Sequence, residues 1–217
     1  MLSVRVAATA IAILFAGQAA AQTGGFDIDG IYIEAPLPSG FCLPSGAAVA
    51  KADLGVRSDP DNKTHMTVYS CAQMQNDTIT DYFLVKSPKN LLSYKMTREE
   101  VLASLTKEMS DPDFSAQKLS SEAGDKATKS ISEASGTAIN VTTDIRPLGR
   151  DKDCAYMGGV VASNTGGVLF SLNVAGCITA VGDRIVMVFR YSKGTKAAEA
   201  AKLLPEARKF AMAMRTK

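Results

Sequence analysis

The pattern of apolar and polar residues is most strand-like between Cys154 and Ser192, in CAYMGGVVASNTGGVLFSLNVAGCITAVGDRIVMVFRYS. A period of two predicts strands. Asn164-Thr165-Gly166-Gly167 and Gly182-Asp183 supply the residues that accept positive φ in tight hairpin turns. The stretch is therefore predicted to be three consecutive antiparallel strands. A turn centred between Thr165 and Gly166 sets Cys154 directly opposite Cys177, at a separation that a disulfide bridges. The same register gathers Met157, Val161, Phe170, Leu172, Val174 and Ile178 on one face, which is expected to be strongly buried. Cys154, Tyr156, Val160, Leu169, Ser171, Asn173 and Cys177 form a more mixed face. Ile185 to Phe189 is apolar on both sides, as in a central strand covered from both.

The rest of the chain carries weaker versions of the two periods. Residues 22–29 read as a loose start, Ile31 to Glu34 as a short strand, and Pro36 to Gly40 as a break. Ala47 to Leu54 leaves helix and strand open. Arg57 to Lys63 is a polar loop turning at Asp59-Pro60-Asp61-Asn62. Thr64 to Gln73 alternates, with Met66, Val68, Ser70 and Ala72 against His65, Thr67, Tyr69 and Cys71. Thr80 to Lys86 returns beside it as a hairpin. Thr97 and Glu100 form a capping box, and the stripe Val101, Leu105, Met109 predicts a helix running to about Ser110. Residues 115–136 are polar and read as an exposed, partly helical or mobile segment. Thr137 to Ile145 alternates and joins the opening strands as a fourth. From Thr195 to Arg215 apolar residues fall at helical spacing through Pro205. That predicts a kinked helix, or two abutting helices with Pro205 at the first position of the second.

The order predicts an α+β fold in one domain: an antiparallel sheet, built from an N-terminal hairpin and a C-terminal four-stranded meander, packed with an internal helix and a C-terminal helix. The hairpin Thr64–Lys86, helix Thr97–Ser110, strands Thr137–Ser192 and helix Thr195–Arg215 resemble, in order, the PsbP/Mog1/DcrB-like α/β/α sandwiches. The resemblance covers most of the chain and implies that fold. Members of that group do unrelated jobs, so it implies no particular activity, and the two cysteine pairs are not part of the layout.

Composition adds a compartment. Arg5, the apolar run Val6 to Phe15 and Ala19-Ala20-Ala21 make residues 1–21 a secretory signal, leaving 22–217 as the mature domain in a periplasmic or secreted setting. No later stretch is long and apolar enough to span a membrane. With 24 Lys and Arg against 22 Asp and Glu, the near-neutral charge offers no footprint for nucleic acid or an anionic membrane. Four cysteines in an exported chain are expected to form two disulfides: Cys154–Cys177 from the register, which leaves Cys42–Cys71.

Candidate chemistry is sparse. His65 is the single histidine and is expected to be a packed or surface residue. Ser104/Lys107 and Ser115/Lys118 match the SxxK spacing of Ser–Lys nucleophiles without the companion motifs. Asp59, Asp61 and Asn62 suggest calcium, but Lys63 stands where a calcium loop needs an oxygen ligand. Asp151 and Asp153 are paired acids near a strand start. Met212 and Met214 are expected in the core rather than on a metal. Asn62, Asn76 and Asn140 head glycosylation triplets that matter only in a eukaryotic secretory route, and the terse signal reads as bacterial. No cofactor or metal site is expected. The expected function is a non-enzymatic periplasmic accessory or binding protein, its partner an envelope protein or small molecule. The alternatives are a small apolar-ligand carrier, enclosed by the sheet and the Ala/Met-rich last helix, or a hydrolase whose site is assembled only by the fold. The loops Pro36–Gly46 and Arg57–Lys63 and the segment 115–136 are where function is expected to sit.

Overall fold

The computed structural model describes residues 22–217; the signal reading falls on residues 1–21, outside the described residues. The chain opens with strands β1 (Thr23–Ile28) and β2 (Ile31–Pro36), then a two-residue β3 (Phe41–Cys42), helix α1 (Ala47–Arg57), β4 (Asn62–Ser70) and β5 (Tyr82–Pro88). Helices α2 (Arg98–Met109) and α3 (Ala116–Ser135) follow, then the meander β6 (Asn140–Arg150), β7 (Ala155–Thr165), β8 (Val168–Val181) and β9 (Arg184–Lys193). A 3-10 stretch Ala197–Leu203 leads into α4 (Leu204–Ala213), and β10 (Arg215–Thr216) ends the chain. Seven strands form one antiparallel sheet in the order β3-β4-β5-β9-β8-β7-β6, and β1-β2-β10 form a second. The architecture is α+β, with the meander joined to the β4–β5 hairpin through β5 and β9.

Local chemistry explains most boundaries. Thr97 accepts from the Glu100 N–H at 3.3 Å while the Glu100 carboxylate accepts from the Thr97 N–H at 2.7 Å, so the capping box starts α2. Pro205 falls in the first turn of α4, where its missing N–H costs nothing, so the last segment is two abutting helical pieces. Within residues 22–29, expected to be loose, Thr23–Ile28 instead form strand β1. Asp29 and Gly30, both at positive φ, make the two-residue turn that folds Phe26 and Ile28 back onto Ile33 and Ile31.

The segment 115–136 is one continuous helix. Ser115 caps its start by accepting from the Lys118 N–H at 3.2 Å, and Gly136 ends it in the left-handed region at φ 68°. Its polarity has a structural reason. β6 is the last strand of the sheet, and its outer backbone groups need partners. Ser120, Thr128 and Ser132, on one ridge of α3, provide them. Ser120 Oγ accepts from Ile145 N at 2.9 Å and donates to Thr143 O at 2.7 Å. Thr128 Oγ1 accepts from Val141 N at 2.8 Å and donates to Val141 O at 3.2 Å. Ser132 Oγ closes the row on Ile139 N and O, both at 3.0 Å. Gly124 completes the ridge, since a Cβ there would stand 3.2 Å from Val141 O.

The β7–β8 register differs from the expected one. The turn is Gly166-Gly167, both at positive φ, so Thr165 pairs with Val168 and Tyr156, not Cys154, lies opposite Cys177. The slip is two residues, which preserves every side chain's face. Cys154 is nonetheless bonded to Cys177, with Cα atoms 5.2 Å apart rather than the roughly 7–8 Å of a regular diagonal pair. A turn outside β7 draws it in: Asp151 Oδ1 accepts from Cys154 N at 2.8 Å, and Cys154 O accepts from Asp151 N at 3.0 Å. The second disulfide, Cys42–Cys71, ties β3 to the chain beyond β4.

Both faces of the large sheet carry apolar residues, but the larger core lies on the side expected to be mixed. There Cys154, Cys177, Val186, Val188 and Phe83 pack beneath Phe210 of α4 and the β1–β2 hairpin. Arg190 is buried among them, its guanidinium 4.9 and 4.8 Å from the ring centres of Phe41 and Phe83 and paired with Asp81 and Glu206. The opposite face is covered in patches. α2 sets Val101 on Ile178, Ala180 and Ile185, and α1 sets Ala48 and Ala52 on Tyr69.

Candidate functional site

Between those patches the sheet is open. α1 leans over β4 and α3 follows β6, which leaves the middle strands partly bare. On β9, Val186, Val188 and Arg190 are buried while Met187, Phe189 and Tyr191 are half-buried. β5 shows the same division, with Phe83, Val85 and Ser87 buried and Tyr82, Leu84 and Lys86 half-buried. The result is a groove in two adjoining parts. The larger, about 630 Å³, runs from Leu54 on α1 across Tyr82 and Leu84 to Ile131 on α3 and Val141 and Ile145 on β6. The smaller, about 220 Å³, lies over Met157, Val174, Met187 and Phe189. Asn62, Lys86, Ile145 and Tyr191 line both. Gly176 makes room for the floor: a Cβ there would come within 2.6 Å of the Phe189 ring.

Two ion pairs line the groove, and one of them is largely withdrawn from water. Lys86 Nζ lies 2.6 Å from Asp59 Oδ2, with side-chain exposures of 13% and 17%. Asp59 Oδ1 also accepts from the backbone and side-chain nitrogens of Asn62 at 3.1 and 2.9 Å. Burial alone would raise the Asp59 pKa; the Lys86 charge and the Lys86 and Asn62 hydrogen bonds outweigh it and hold the carboxyl below its usual value. Tyr82 and Tyr191 stack with centres 4.6 Å apart, and burial raises both phenols above their ordinary range. At the mouth, Lys126 of α3 reaches Asp61 at 2.9 Å across the groove.

The other candidates are placed elsewhere. Asp151 and Asp153 do not share a strand face; they lie in the β6–β7 connection and converge on Arg208 of α4. Asp153 is buried and also pairs with Arg98 and Lys152, each at 3.2 Å. Asp151 accepts from Tyr156 Oη at 2.7 Å and from two backbone N–H groups. Burial works to raise its pKa, and those bonds with Arg208 nearby hold it down to about 2. Both acids are thus committed to ion pairs. Ser104 and Lys107 are exposed on α2, and the Ser115 hydroxyl is occupied in capping α3. Met214 is buried and Met212 packs against the main core. Asp59 and Asp61 meet Lys86 and Lys126.

His65 departs from the simple alternation. A bulge between Thr64 and Met66 turns its ring to the same side as Met66, where it stacks on Phe26 at 4.7 Å. Ser87 Oγ, 3.0 Å from Nε2, donates to Ile185 O at 2.6 Å, so the imidazole is the donor and Nδ1 is left as a buried acceptor without a partner. That arrangement points the serine proton away from the histidine and does not activate the hydroxyl. Burial first, then Lys63, depresses the His65 pKa to about 4 against a weaker opposing effect of Asp27.

The apolar-carrier expectation had the last helix enclosing the ligand. The structure corrects this: α4 packs on the opposite face, and the groove is walled by α1 and α3. Lys86, Tyr82 and Tyr191 are the residues that sequence reasoning passed over. Their signal is a lysine sharing one face of a central strand with Tyr82 and Leu84.

No helix among the described residues is long and apolar enough to cross a membrane. No family model and no curated protein matches the chain. Among solved structures, the solution structure of cyanobacterial PsbP from Synechocystis sp. PCC 6803 aligns over 93% of this chain and 96% of its own, at 10% identity and a TM-score of 0.43. A crystal structure from Bacteroides thetaiotaomicron VPI-5482 aligns over 85% of this chain and 45% of its own, at 7% identity and a TM-score of 0.32.

Proposed function

We propose that this is an exported, non-enzymatic binding protein that works outside the cytoplasm and holds a small, largely apolar molecule in the groove over β5, β9, β7 and β6. The observation that carries the reading is the half-buried apolar floor, walled on two sides and set with a few polar groups, which is the usual make-up of a ligand site. Export is supported by the residue pattern of 1–21 and by all four cysteines lying in disulfides. A non-enzymatic role is supported by acids engaged in ion pairs and a histidine whose serine donates elsewhere.

The test uses N-phenyl-1-naphthylamine, an uncharged dye that fluoresces in apolar sites. Emission should rise with the purified mature protein, and Leu84→Trp, which fills the groove floor, should abolish the rise while leaving the circular dichroism spectrum intact. A rise that survives Leu84→Trp unchanged would place the binding elsewhere and refute the groove. Mass spectrometry of the secreted or periplasmic chain should find Gln22 as its first residue.

A further inference from the structure

Resting on the groove as the binding site, we infer that its ligand is an uncharged apolar molecule bearing a carbonyl-type oxygen, and that Lys86 donates a hydrogen bond to that oxygen. Lys86 borders both parts of the groove. An ammonium has three N–H donors, and the bond to Asp59 occupies one. An acceptor entering the junction would satisfy a second without disturbing the pair.

Structure alone does not call for this lysine. The Asp59–Asn62 turn is closed by Asn62 on Asp59 Oδ1 and is gripped from outside by Lys89 Nζ, which donates to Pro60 O at 2.8 Å and Asp59 O at 3.3 Å. An ion pair withdrawn from water adds little or no net stability relative to apolar residues of similar size. Placing one where the two parts of the groove meet therefore points to the occupant.

The charge of that occupant follows from Asp59. The carboxylate already neutralises Lys86, so an entering anion would face Asp59 across the same ammonium, and an entering cation would face Lys86. In the smaller part of the groove, Ile145, Met157, Val174 and Phe189 give no further compensation, and leaving an ion unpaired among them is costly. A ketone, ester or amide oxygen on an apolar body meets each constraint.

Equilibrium dialysis with 2-acetylnaphthalene, naphthalene and 2-naphthoate separates the possibilities on one ring system. The ketone should bind about tenfold more tightly than naphthalene, the effect of a charge-assisted hydrogen bond, and naphthoate should bind more weakly than the ketone. Lys86→Met should remove the ketone's advantage over naphthalene, a ratio read within the variant so that any effect of the stranded Asp59 common to both compounds cancels. Equal binding of ketone and naphthalene, tightest binding of naphthoate, or a ketone advantage that survives Lys86→Met would each overturn the assignment while leaving the groove reading in place. If none of the three compounds binds, the groove reading fails, and this inference with it.

Discussion

The two faces of the seven-stranded sheet both carry apolar residues and are finished differently. On one, α4 and the β1–β2 hairpin bury Val186, Val188, Phe83 and Phe210 into a continuous core locked by Cys154–Cys177. On the other, α1, α2 and α3 stand at the margins, and Met187, Phe189 and Tyr191 keep part of their surface. The difference teaches that apolar character on both sides of a strand does not by itself mean burial on both sides. Surface that the fold leaves uncovered is available to a ligand.

The strongest way to break this comparison is to truncate one large ring on each face. Phe210 is 2% exposed and meets Phe83 edge-on at 5.3 Å. Phe210→Ala should cost about 3–5 kcal/mol, the loss expected for a buried phenylalanine. Phe189→Ala, on the open face, should cost about 1–2 kcal/mol because its ring already meets solvent and its site can collapse. Urea denaturation of the two variants measures both. Equal losses would mean that the open face is as tightly packed as the closed one.

How much of this was legible follows from where the information lies. The meander, the α2 capping box and the break at Pro205 are local signals, and each formed as its residues dictate. The Cys154–Cys177 pairing came from a register two residues away from the observed one. The even-numbered slip kept the faces, and the Asp151–Cys154 turn closed the remaining gap. Asp29-Gly30 was a readable hairpin turn that the glycines before it obscured. The α3 ridge was not readable, because Ser120, Thr128 and Ser132 look like surface polarity until an edge strand is placed beside them. The groove is of the same kind: β9 reads as covered on both sides, and only the positions of three helices reveal that one side is not.

A smaller effect sharpens the comparison through pH. His65 lies on the closed face with its pKa lowered to about 4, so the unfolded chain binds the proton more readily than the folded one between pH 6.5 and 4. Its contribution is fully present above about pH 6.5 and is lost as pH falls toward 4. After allowance for the ring's partial exposure, the loss should be roughly 1–2 kcal/mol. His65→Leu should flatten stability over that window. Asp59, whose pKa is lowered from 3.8, changes charge only at lower pH, so binding of 2-acetylnaphthalene should stay level across it. A pH-dependent affinity between 6.5 and 4 would couple two faces that the geometry keeps apart.

The smallest expected effect concerns the ion pair on the open face. Asp59→Asn retains the acceptor for the Asn62 N–H, and Lys86→Met retains the aliphatic stem on the groove floor. Each change alone strands the other partner's charge in a partly dry setting and should be felt in urea denaturation. The two together should bring stability back to within about 1 kcal/mol of the native chain, because a buried ion pair and a neutral replacement of similar shape are close in free energy. A double variant that lost several times that amount would make Lys86 and Asp59 supports of the fold, comparable to Phe210 on the other side. Recovery in the double variant, with the ketone's advantage over naphthalene gone, would locate the worth of the pair in recognition, and that is what separates the open face from the closed one.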